Sequence, residues 1–126
     1  MNIETKKTGT ILFALPFIVS GLFHFVNAKG MAMAISGFPM AEILIYFSGV
    51  ALIAGAVAIM ANIYARLASL LLALELFLIS ISVQLPGLMN PESMQDSMIG
   101  LLHNISLIGG ALLIHHMSPK VKAAIK

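Results

Sequence analysis

Residues 41–61 read AEILIYFSGVALIAGAVAIMA, and Glu42, at the very start, is the only charged side chain in the run. A helix rises about 1.5 Å per residue, so a stretch of this length crosses a hydrocarbon core about 30 Å thick. The run has no period-two alternation, which removes a transmembrane β-strand. An open sheet could not satisfy its backbone in lipid. The spacing therefore predicts a membrane-spanning α-helix.

Working outward, three more apolar stretches of similar length follow the same rule, at 8–27, 65–85 and 97–117. Over all 126 residues, 60% are hydrophobic and 10% are charged, against about 25% charged in a typical soluble domain. That is too little polar surface to cover a water-soluble core, so the apolar surface must face lipid. The expected fold is an all-α membrane protein, a four-transmembrane-helix bundle forming one domain over residues 1–126. Lys6-Lys7, an apolar run and Val26-Asn27-Ala28 also have the order of a cleaved secretory signal, but the run is longer than such signals use. A retained first helix is expected.

The breaks between spans have their own chemistry. Lys29-Gly30 is expected to end the first span, residues 31–36 to form an interfacial helical turn, and Gly37-Phe38-Pro39 to lead into the second. Asn62-Ile63-Tyr64 reads as a tight hairpin, with Tyr64 as an interface anchor. Pro86-Gly87 should stop the third helix. Asn90-Pro91-Glu92 has the order of a helix start, with a capping Asn, Pro at the first position and an acid in the first turn. Ser118-Pro119 should end the fourth.

Six of the seven basic residues fall on the side shared by the N-terminus, the second loop and the C-terminus: Lys6, Lys7, Arg66, Lys120, Lys122 and Lys126. Lys29 stands on the other side, with Glu92 and Asp96. Basic residues accumulate in cytoplasmic loops, so both termini are expected in the cytoplasm. So few basic residues, placed this way, set topology and make no nucleic-acid footprint. With no cysteine in the chain, disulfide exchange and thiolate-held zinc or iron–sulfur centres are excluded within it. No metal-ligand motif stands in their place.

Ionisable side chains in a span are costly and usually face the bundle interior. In the first span Thr10, Phe17, Ser20, Gly21, His24 and Asn27 share one helical face; in the second, Glu42, Tyr46, Gly49 and Ala56; in the fourth, Asp96, His103, Ser106 and Gly110. These stripes of small and polar residues are where membrane helices pack. His24 and His103 are expected at matched depth, within about 12 Å of each other across packed helices, near Glu42 and Gln84. Glu75 lies close to mid-bilayer, on the face of Ala68 and Ser82 and away from Arg66. A carboxyl group there has to be neutral or held by a partner on another helix, another subunit or a ligand.

Each feature has a plainer alternative. The histidines are able to ligate a haem, to line a quinone or small-molecule pocket, or only to bond across helices. Glu42 suits the positive end of a helix dipole. His115 and His116 are expected to be solvated at the cytoplasmic interface. The nine methionines suit irregular apolar packing better than metal ligation. The pairs Ala51/Gly55 and Ser106/Gly110 fit packing within the bundle or a homodimer.

Three stretches together resemble the DoxX family of small bacterial four-helix membrane proteins. They are IVSGLFHF at 18–25 followed by Gly37-Phe38-Pro39, FSGVAL at 47–52 leading to Ala65-Arg66-Leu67-Ala68, and HNISLIGGALL at 103–113. The likeness spans nearly the whole chain in order and spacing. It departs where relatives often have lysine in place of His24 and His103 and glutamate in place of Tyr46, so no catalytic role is carried over. The resemblance implies a multi-pass protein of the bacterial inner membrane, an accessory or partner of membrane redox complexes including quinone-linked ones. The expected ligand pocket, in the outer half of the bundle, comprises His24, Glu42, Tyr46, Glu75, His103 and Asn104. Two other classes stay open. One is a small proton-coupled exporter working as a dimer; the other is a non-catalytic assembly partner.

Overall fold

The structure is a computed structural model that describes residues 3–34, 37 and 39–118. All regular structure among these residues is helical: α1 (Ile3–Val26), α2 (Ala28–Ala34), α3 (Ala41–Ala61), α4 (Ala65–Ile79), a π-helical turn (Ser80–Gln84), α5 (Leu85–Gly87) and α6 (Met94–Met117). Four stretches are long and apolar enough to cross a membrane: Glu4–Val26, Ala41–Ala61, Ala65–Gly87 and Met94–Met117. The chain thus has the makings of a multi-pass membrane protein.

The second span has the expected limits, and the others differ in informative ways. Lys29-Gly30 does not break the chain, because α2 resumes helical structure at once and packs back on α3. Ile35, Ser36 and Phe38, part of the expected interfacial turn and of the approach to α3, lie outside the described residues, as do Pro119 and the basic tail at 120–126. Pro86 does not stop the third span, which runs on through it to Gly87. Asn90 is not the cap of α6. Its side-chain Oδ1 accepts from the Glu92 N–H at 3.1 Å, an Asx turn, and the helix begins only at Met94.

The hairpin between α3 and α4 closes as its sequence suggests. Asn62 takes up the left-handed conformation at φ 58°, which Asn tolerates better than most residues, while the Ile63 N–H reaches back to the Ala58 carbonyl at 2.9 Å. At this same end, the Arg66 guanidinium donates to the carbonyls of His115 and Ser118 at 3.2 and 3.3 Å, satisfying the open C-terminus of α6. His115 is half-buried, and its Nδ1–H donates to the Arg66 carbonyl at 2.8 Å, so it is not simply solvated; His116 is exposed. Lys6 donates to the Met117 carbonyl at 3.3 Å. These contacts gather the start of α1, the α3–α4 hairpin and the end of α6 at one end of the bundle, with Lys6, Lys7 and Arg66 there together.

Neighbours in sequence pack pairwise, α1 on α3 and α4 on α6, and the pairs meet along α3 and α4. The core joins all four spans in the half nearest this basic end. Ala14 and Phe17 of α1, Leu52, Ala56 and Ile59 of α3, Ala68, Leu72 and Leu76 of α4, and Ile114 of α6 form one buried cluster. The outer surface is Leu, Ile, Phe, Val and Met, as contact with lipid requires.

Candidate functional site

Between the two helix pairs lies a cavity of about 1050 Å³, at the upper end of the range for sites that take a drug-sized ligand. It extends from Tyr64 at the hairpin to Gln84 and Met31 at the opposite end. Phe47, Ala54, Leu71, Leu74 and Leu78 line it while also being exposed, so the cavity opens sideways between α3 and α4. In a membrane that mouth faces the acyl chains.

The floor is polar. Glu75 of α4 accepts a hydrogen bond from the Ser48 hydroxyl of α3 at 2.5 Å. His24 of α1 donates from Nδ1 to the Ser20 carbonyl one turn back at 2.7 Å; a carbonyl only accepts, so the contact puts the proton on Nδ1. Asn104 of α6 donates from Nδ2 to the Ser80 hydroxyl at 3.0 Å, and Ser80 in turn donates to the Leu76 carbonyl at 2.9 Å. Ser20, Ser48, Tyr64, Ser82 and Gln84 complete the polar lining. No buried side-chain nitrogen or oxygen among the described residues lacks a partner.

The backbone of the third span changes along this lining. Between Ser80 and Gln84 the helix widens by one residue, the Leu85 N–H reaching back five residues to the Ser80 carbonyl. Three consecutive side chains, Ser82, Val83 and Gln84, then line the cavity, while Ser80 is buried toward α6. Such π turns inside α-helices are frequent at functional sites. The Gln84 amide lies against Gly100 of α6, where a Cβ would come within 2.7 Å of its nitrogen.

Of the six side chains singled out in the sequence, His24, Glu75 and Asn104 line this cavity. Glu42, Tyr46 and His103 do not. Glu42 is exposed in the first turn of α3, where an acid suits the helix dipole. Tyr46 packs on Phe25 with ring centroids 5.6 Å apart and lines a separate small pocket beside the α1–α2 junction. His103 is exposed on the outer surface of α6. The expectation that both histidines point into one bundle is corrected accordingly, and with it a pair of axial haem ligands. On α6 the inward residues are Ser97, Ala111 and Ile114, with Asn104 between them; the stripe through Asp96, His103 and Ser106 lies outward. Among the described residues, no three His, Cys, Asp or Glu side chains are grouped to hold a metal.

Sequence reasoning missed Ser48 as the partner of Glu75. Ser48 stands one position, about 100° of turn, from the stripe through Gly49, and an isolated Ser in an apolar span carries no signal of its own. No family model, curated protein or solved structure matches the chain.

Proposed function

We propose that this protein binds a small amphipathic molecule drawn from the bilayer, with the head on the floor formed by His24, Glu75 and Asn104 and the apolar body leaving between α3 and α4. The observation that carries this reading is the cavity's two-sided chemistry: an apolar mouth open to the lipid side over a polar floor. A mere packing gap among Leu and Ile would have no reason to gather a carboxyl group, an imidazole and an amide. A membrane quinone or its reduced quinol has the required shape. The DoxX-like stretches support placing the protein in a bacterial inner membrane, as an accessory or partner of a redox complex. The basic residues gathered at one end support a cytoplasmic location for that end.

Mild extraction from native membrane and mass spectrometry of the bound small molecules test the reading. One apolar molecule should be enriched with the protein and depleted from an Ala51→Phe variant, which fills the cavity from α3. Equal lipid content in the two proteins, with no enriched species, would remove the proposed function. For orientation, cysteines introduced singly at Asn90 and Lys7 are informative because the chain has none of its own. The first should react with an impermeant thiol reagent in intact cells and the second should not; the reverse pattern inverts the protein.

A further inference from the structure

Which way the hydrogen bonds run on the cavity floor narrows the class of ligand. Resting on the ligand-binding reading above, we propose that the occupant is a hydroxyl-headed apolar molecule, a phenol or alcohol that donates hydrogen bonds, rather than one whose head only accepts.

One group on the floor is fixed in sense, and it is an acceptor. Because the His24 Nδ1–H is committed to the Ser20 carbonyl, the other ring nitrogen of the neutral imidazole, Nε2, offers only a lone pair. Asn104 has one N–H engaged by Ser80, and its second N–H and its Oδ1 can donate to or accept from a ligand. The Ser48 hydroxyl is spent on Glu75 Oε2, leaving the second carboxyl oxygen for a ligand, to which it donates when protonated and from which it accepts when ionised. Ser20, Ser82 and Gln84 also line the floor, and each can donate or accept. These adapt to any head and do not discriminate.

A ligand that only accepts would therefore leave the His24 lone pair unmatched and desolvated, whereas a hydroxyl supplies the missing donor. Leaving a buried polar group unpaired is the strongest discriminator a small site has, and it amounts to roughly tenfold or more in affinity. A cationic head would also donate, but the mouth opens onto lipid, where bringing in a charge is costly. Neutral hydroxyls fit both the floor and the route.

The test needs two probes that differ only in the donor. 4-Dodecylphenol and its methyl ether are such a pair, with dodecylammonium as a third arm. Competition for the intact detergent-purified protein, read by native mass spectrometry, should favour the phenol over the ether at least tenfold. His24→Phe keeps a flat ring and the Cβ that packs on Gly49, but removes the acceptor; it should lift the ether's penalty, deprive the phenol of its partner and so lose the preference. His24→Gln, which restores an acceptor, should recover part of it, and it stands in if the Phe variant does not fold. Equal binding of phenol and ether, a preference that survives His24→Phe, or tighter binding of dodecylammonium than of the phenol would each overturn the inference while leaving a ligand site in place. Binding of none of the three would overturn the ligand reading itself.

Discussion

Helix α3 makes two seams, and they differ in kind. Against α1 it presents Gly49, and the two backbones come so close that a Cβ on Gly49 would lie 3.0 Å from the Gly21 carbonyl oxygen and 2.8 Å from the His24 Cβ. The reciprocal Cβ on Gly21 would lie 2.8 Å from the Gly49 carbonyl oxygen. Against α4, the same helix presents Ser48, Ala51 and Gly55, and a cavity opens instead. At Gly55 an added Cβ would meet Leu72 at an ordinary 3.8 Å. Small residues occur on both seams, so smallness alone does not decide. In lipid, helices gain from packing only where both surfaces fit. Gly21 meets Gly49 at sub-contact distance, whereas a Cβ on Gly55 would meet the Leu72 side chain and the Ala68 carbonyl at ordinary distances of 3.8 and 4.0 Å. Ser48 and Gly49, adjacent in sequence, thus belong one to the open cavity and the other to a structural joint.

The largest expected effect is at the joint. Gly49→Ala should lower thermal stability in detergent by an amount equivalent to about 1–3 kcal/mol, the usual cost of overpacking, because backbone and Cβ atoms, not a flexible side-chain end, stand in the way. Gly55→Ala is the matched change on the other seam. It should be neutral or slightly stabilising, since Ala is the better helix former by up to about 1 kcal/mol. Melting curves for the two variants check the contrast. Equal losses would mean that the α3–α4 seam is as tight as the α1–α3 one, and that the cavity is closed in solution.

Much of this architecture was legible in advance, for reasons that can be traced to particular residues. Spans follow from length and apolarity, and 41–61 coincides with α3 because Glu42 and Asn62 bracket it and neither is ambiguous. The stripe of Ser20, Gly21 and His24 faces α3 because glycine leaves only one way to bring the helices close. On α6 the same reasoning failed. His103 and Asn104 are both polar, and only one can face inward; the choice is made by Ser97, Gly100 and Ala111, which are small enough to seat α6 against the third span. The stripe through His103 and Ser106 also contains Gly110, which does meet Phe13 of α1, so one true contact lent the wrong face its credibility. The π turn was not read from the sequence either, although Pro86, which cannot donate to the carbonyl one turn back, stands just beyond it. Its extra residue rotates everything from Ser82 onward relative to Glu75, and no periodic reading could have anticipated that.

The smallest expected effect on stability is at Glu75, on the floor of the open seam. Its partner is the Ser48 hydroxyl, which needs only an acceptor at the position of Oε2. Glu75→Gln provides one through its amide oxygen, so the Ser48 bond should persist and melting should move by no more than about 0.5 kcal/mol, as for other substitutions that keep size and pairing. Glu75→Leu removes the acceptor. Ser48 loses its partner, and the cost should be held down because a serine in a helix can turn its hydroxyl to the carbonyl one turn back, as Ser80 does with Leu76. Both proteins should therefore fold, which makes their ligand binding interpretable. If the carboxyl group contacts the occupant's head, the Leu variant should lose binding of 4-dodecylphenol by roughly tenfold or more, with the Gln variant between it and the native protein. If Glu75 serves only to tie α4 to α3, binding should follow melting, and Glu75→Gln should bind as the native protein does. Unchanged binding in both variants would confine the site to His24 and Asn104 and leave Glu75 as a brace across the seam.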